Sequence, residues 1–144
     1  MPALALSIQQ LTRFSGLPAR STLKRWIAAS LERDAELTLR FVDSREGRRL
    51  NREFRGKDYA TDVLTFNYAT EPKVRADIVI CVPVAAREAR ARRKPSSEHL
   101  VHLIVHATLH AHGYHHGSGR RHTEAMEARE IQVMQALGRA NPYT

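Results

Sequence analysis

The stretch VHATLHAHGYHH, residues 105–116, holds five histidines in twelve residues, and all eight histidines of the chain fall between His99 and His122. Imidazole at this density is the chemistry of a divalent-ion site, because each neutral ring offers one nitrogen to a metal. His106 and His110 are four residues apart, one helical turn, and can point at one centre. On a wheel at about 100° per residue, His99, His102, His106 and His110 occupy a sector of roughly 80°. Leu100, Val101, Leu103, Ile104, Val105, Ala107 and Leu109 fill the rest. A helix apolar nearly all round is buried, and its histidine stripe then faces a cleft. From His102 to His110 the rise is about 12 Å, against zinc–nitrogen bonds of about 2.0–2.1 Å, so those two with His106 make a poor ligand set.

The third ligand therefore comes from beyond the helix. Gly113 can end the helix in a left-handed conformation and turn the chain back, which brings His116 to the same ion from another side. The pattern H-x3-H-x2-G-x2-H over His106, His110, Gly113 and His116 is similar to the zinc-binding spacing of metzincin proteases. Three histidines with an open fourth position describe a catalytic zinc site, where the pKa of a bound water falls to about 7. Ala107 stands where a protease carries its glutamate base, which disfavours peptide cleavage. A phosphodiester asks instead for cationic stabilisation of its oxygens. The segment NREFRGKDYATDVLTF offers Arg55, Lys57 and Asp62 between a helix and a strand.

Several elements must position these groups. Leu23, Trp26, Ile27 and Leu31 recur at helical spacing in STLKRWIAASL. AELTLRFVD alternates as a strand with one buried face, and DSREGRRLNREFRG reads as a helix capped by Asp43 or Ser44 and closed by Gly56. DVLTFNY and VRADIVICV read as strands joined through ATEPK, the second ended by Pro83. VAAREARARRK is a short basic helix broken by Pro95. The histidine helix runs from about Ser97 to His112, capped by Ser96 or Ser97. A last helix starts at a Thr123 cap and stops at Gly138, with Met126, Val133, Met134 and Leu137 as its core stripe. The pattern predicts an α+β domain spanning residues 1–144, with a small mixed sheet of about four strands packed by about five helices and the metal site on a central buried helix.

Charge narrows the partners. With 23 Lys+Arg against 15 Asp+Glu the net charge is +8, and most of the basic residues are arginine, whose planar fork suits phosphate. The single cysteine, Cys81, excludes an intramolecular disulfide framework and reads as a core residue in a reducing compartment. The N-terminus has no basic n-region, and the apolar run IVICVPVAA is far short of a membrane span, so a cytoplasmic location without membrane association is expected. Trp26 reads as core, His112 as incidental and His122 as a surface residue. Aromatics at 6% argue against stacking on exposed rings as the main binding mode.

NREFRGKDYATDVLTF, ADIVICVPVA and HLIVHATLHAHGYHH, in that order, resemble the YbeY family of bacterial metal-dependent endoribonucleases over roughly residues 35–138. The resemblance implies an α+β fold, one divalent ion, zinc or similar, on His106, His110 and His116, and action on single-stranded RNA. It implies a role in maturation of the 3′ end of small-subunit rRNA and in ribosome quality control. The expected partners are rRNA, the ribosome or small-subunit precursors, with ribosomal proteins and assembly GTPases beside them. Arg55 matches the family's catalytic arginine, and Lys57 and His102 are further candidates for RNA contact. The family usually has Asp where this chain has His115, which can compete with His116 as the ligand, and Gly where it has Ala107. Two other readings stand: a zinc metallohydrolase acting on peptides, and a ribosome-assembly binding factor whose metal is structural.

Overall fold

The protein is described by a computed structural model covering residues 2–114 and 120–144, with side chains from 123 onwards in the second stretch. Among the described residues four strands form one sheet: β1 (Leu4–Gln9), β2 (Ala35–Val42), β3 (Val63–Ala69) and β4 (Val74–Cys81), in the order β1-β2-β4-β3. The first two pairings are parallel, Leu4 opposite Ala35 and Ala35 opposite Val74, while β3 runs antiparallel to β4 with Phe66 opposite Asp77. The described residues also form five α-helices: α1 (Arg20–Ser30), α2 (Ser44–Arg55), α3 (Val82–Ala91), α4 (Ser96–Ala111) and α5 (Arg120–Ala136). The mixed sheet and its helices are the α+β architecture that the alternation of patterns predicts. No helix among the described residues is long and apolar enough to cross a membrane.

Side-chain alternation divides the sheet into two faces. Leu37, Leu39, Phe41, Ile78 and Ile80 join Leu23, Trp26 and Ile27 of α1, Met126 and Met134 of α5, and nearly the whole circumference of α4 in the main core. Because α4 packs against α1, α3, α5 and β3 together, its apolar surface must be continuous. On the other face a smaller cluster, Val42, Leu64, Val79, Cys81 and Val84, lies beneath α2. Gly47 lets α2 approach closely, since a Cβ there would stand 3.2 Å from the Cys81 sulfur.

Helix ends follow local chemistry, with some departures from the sequence reading. Asp43 caps α2 by accepting from the Glu46 N–H at 2.9 Å, and Gly56 closes it at φ 69°, where other residues are strained. Pro83 does not end β4 directly. The strand stops at Cys81, and Pro83 sits in the first turn of α3, where a missing N–H costs nothing. Pro95, not Ser96 or Ser97, occupies the cap position of α4, and α5 begins at Arg120, so that Thr123 lies inside it. Strand β1 has no counterpart in the sequence reading, although Leu4, Leu6 and Ile8 alternate as a half-buried strand should.

Candidate functional site

Helix α4 carries its histidines on one stripe, and the fold gives each a different task. His99 is 3% exposed and its Nε2 lies 2.9 Å from Glu88 Oε1 on α3. His102 Nε2 lies 2.6 Å from Glu130 Oε2, and His106 Nδ1 lies 3.0 Å from Glu130 Oε1. The Tyr143 hydroxyl donates to the same Oε2 at 2.8 Å. Glu130 is fully buried. Burial opposes its ionisation, but the bonds from His102 and His106 outweigh burial and hold its carboxyl down to about 2. Burial, then the Glu130 carboxylate, pushes the Tyr143 hydroxyl up.

This network fixes the orientation of His106. With Nδ1 donating to Glu130, the lone pair lies on Nε2, the atom that would meet a metal in the arrangement common among histidine ligands. The ring of His110 stands 5.0 Å from that of His106, one turn on. Both line a cleft of about 620 Å³ with Arg55, Asp62 and Phe54. Gly56 ends α2 directly after Arg55, and the chain then returns through Asp62 into β3, which places that segment across from α4. Asn51 anchors the return by donating from Nδ2 to the Tyr59 carbonyl at 2.8 Å. Arg55 is exposed and has no ion-pair partner among the described residues. Lys57 is exposed on the same return but does not line the cleft.

Two other placements differ from expectation. His102 faces away from the cleft, into a separate cavity of about 300 Å³ with His99 and Met134, and its Nε2 is engaged by Glu130. His112 is not incidental. It is buried, its Nδ1 bonds the Thr108 carbonyl at 2.8 Å, and its Nε2 accepts the Glu32 N–H at 3.1 Å, tying α4 to the segment after α1. Burial first of all keeps this imidazole neutral by lowering its pKa. His115 and His116 lie outside the described residues, as does the side chain of His122. Gly113, at φ 104°, takes the left-handed turn foreseen for it.

Among the described residues, two sets of ligand-type atoms gather within 4.8 Å of one another: His102, His106 and Glu130, and Asp62, Glu88 and His99. In both, hydrogen-bond distances of 2.6 to 3.0 Å already join imidazole to carboxylate. Each set reaches the cleft of Arg55 and His110 through one member, His106 from the first and Asp62 from the second.

The model of the family described as Endoribonuclease YbeY matches residues 10–138. The chain belongs to the YbeY family. A protein named Endoribonuclease YbeY from Paracidovorax citrulli is 51% identical over 146 residues, covering 97% of this chain and 95% of its own. Another of that name from Cupriavidus necator is 52% identical over 147 residues, covering 99% of this chain and 74% of its own. The solution structure of TM1509 from Thermotoga maritima resembles the present fold with a TM-score of 0.58 at 23% identity, over 92% of this chain and 91% of that one. That likeness bears on the fold alone.

Within this YbeY-family chain, Glu130 is the site residue that the sequence reading passed over. A signal for it exists: it stands four residues after Met126 and three before Val133, inside the buried stripe of α5, where a carboxylate needs partners.

Proposed function

We propose that the chain, as one domain over residues 1–144, is a metal-dependent endoribonuclease that cuts single-stranded RNA. One observation carries this reading. Arg55, a cation without an internal partner among the described residues, lines the same cleft as His106 and His110. The relatives' name, Endoribonuclease YbeY, supports RNA as the substrate.

His106, His110 and His116 would hold one divalent ion, with Glu130 orienting His106 from behind. Imidazole ligands suit zinc, the ion proposed here. When bound, it supplies Lewis acidity toward a phosphoryl oxygen and lowers the pKa of water. Arg55 neutralises charge that develops on the phosphate, and because its guanidinium is not committed to an internal carboxylate, it is free to do so bidentately. Lys57, beyond the cleft rim, holds a neighbouring phosphate. Asp62 is the carboxylate inside the cleft and the group placed to receive a proton. The proposed setting is cytoplasmic: maturation of the small-subunit rRNA 3′ end and ribosome quality control, with ribosomal proteins and assembly GTPases as partners.

The test is cleavage of single-stranded RNA by wild type, Arg55→Ala and His110→Ala, each checked for an unchanged unfolding midpoint in chelator. Both variants should lose roughly 100-fold or more in rate. Full activity in a folded His110→Ala variant would overturn the ligand assignment.

A further inference from the structure

Phe54 immediately precedes Arg55 in the last turn of α2, yet its large apolar ring is 63% exposed. It meets Phe66 of β3 edge to face, with centroids 5.2 Å apart and planes at 71°. The two rings form a ridge. On one side lies the cleft of His106 and His110, and on the other a second cavity of about 330 Å³. The far wall of that cavity is Tyr68, 64% exposed, and its floor includes Thr38 and Asp77. Thr38, Asp77 and Phe66 are register partners across β2, β4 and β3, so the cavity rests on the outer face of the sheet. Beyond Tyr68 a third cavity continues along that face to Ser7. A trough thus leads from the candidate metal cleft, over an aromatic ridge, onto open sheet.

Of the two carboxylates lining the second cavity, Glu46 is matched by Arg40 at 2.7 Å, while Asp77 keeps its charge and accepts from the Tyr68 hydroxyl at 2.7 Å, on the side away from the ridge. Arg55 stands at the start of the trough, in the cleft on the near side of the ridge. Rings exposed on a polar sheet beside a phosphate-binding cation fit the π-face of a nucleobase, and a duplex, whose bases are already stacked inside, cannot supply one. The low aromatic content argues against stacking only if the rings are spread evenly; here they are gathered at one place.

We infer that Phe54, backed by Phe66, is a stacking platform for an unpaired base of single-stranded RNA, the nucleotide next to the phosphate held at Arg55. This rests on the nuclease reading and supplies its physical basis for single-strand preference: an RNA strand with free bases gains the platform, and paired RNA does not.

The test uses a 2′-O-methyl uridine hexamer, the same hexamer with abasic sugars, and a duplex of equal charge. Phe54→Ala and Phe54→Leu should weaken binding of the base-bearing hexamer by roughly 5- to 100-fold and leave the abasic strand unchanged. Because Trp26 is buried, Phe54→Trp adds an exposed indole, whose emission the base-bearing strand should quench and the duplex should not. Equal binding of the hexamer by wild type and Phe54→Ala overturns the platform. So does equal binding of the two single strands by wild type, or an indole that no RNA quenches, which would make the ridge a protein-docking patch. The nuclease reading is scored separately: base-dependent binding without cleavage of longer RNA keeps the platform and sinks the nuclease. Cleavage that ignores Phe54 does the reverse.

Discussion

Glu130→Gln separates the two ways in which the imidazoles of α4 could serve a metal. In wild type one carboxylate oxygen accepts from His106 Nδ1, while the other meets His102 Nε2 and Tyr143 Oη. A glutamine presents one acceptor oxygen and one NH₂ group. If the NH₂ faces His106, its Nδ1 must accept, the proton moves to Nε2, and the metal loses its lone pair. If the amide flips, His106 keeps its tautomer but loses a charged partner. Either way Glu130 acts through His106, and the expected cost is about 10- to 100-fold in metal affinity. Stability carries a second signature in the metal-free protein. The carboxyl is held at about 2 against an ordinary 4.5. It therefore contributes about 3 kcal/mol of stability above pH ~4.5, and that contribution fades as pH falls toward 2. Glu130→Gln should flatten this acid limb, and Glu130→Ala, which strands three polar groups, should cost about 3–5 kcal/mol at neutral pH. The assays are chelator competition for metal and urea unfolding from pH 7 down to pH 2.5. An acid limb unchanged in Glu130→Gln refutes the electrostatic argument. Metal that survives His110→Ala but is lost in His102→Ala refutes the assignment itself and moves the ion to His102, His106 and Glu130.

Other perturbations follow from single features of the structure. Lys57→Ala should leave stability unchanged and reduce the salt dependence of RNA binding by about one unit of log–log slope, read from affinities across salt concentrations. Asn51→Ala removes the tie to the Tyr59 carbonyl and should cost roughly 1–3 kcal/mol in urea unfolding, with slower cleavage because Arg55 rides on the same turn. The Cys81 thiol, pushed up chiefly by burial, should ignore a thiol reagent at pH 8 in the native protein and react at once in denaturant. Gly113→Ala has room for its methyl among the described residues, the nearest of their atoms being 3.9 Å away, so the expected loss of stability is that of the positive φ, about 1–2 kcal/mol.

What the sequence made legible was whatever depends on local pattern. The histidine helix, its all-round burial, the Asp43 cap, the Gly56 stop and the Gly113 turn can be read from residue type and spacing, because each is decided within a few residues. Features decided by tertiary partners were not. Glu130 reads as a solvated charge until α5 is laid against α4, and His102 reads as a cleft residue until Glu130 claims its Nε2. Phe54 stands four residues after Leu50 on α2, a spacing that suits a shared buried face, yet the helix ends at Arg55 and the ring is left outside, against Phe66 of β3. Strand β1 is short and terminal, and its alternation gains meaning only through its parallel pairing with β2, about thirty residues on.

The groups around the cleft come from segments scattered along nearly the whole chain. Arg55 ends α2, Asp62 precedes β3, His106 and His110 lie on α4, Glu130 on α5 and Tyr143 one residue from the last position. The sheet that holds them apart pairs β1 with β2 and β2 with β4 in parallel, contacts that close loops of some thirty residues or more and form late in folding. Helix α4 by itself can bring His106 and His110 together, one turn apart, but it lacks the arginine and the orienting carboxylate. The cleft is thus complete only once α2, the sheet, α4 and α5 have all docked.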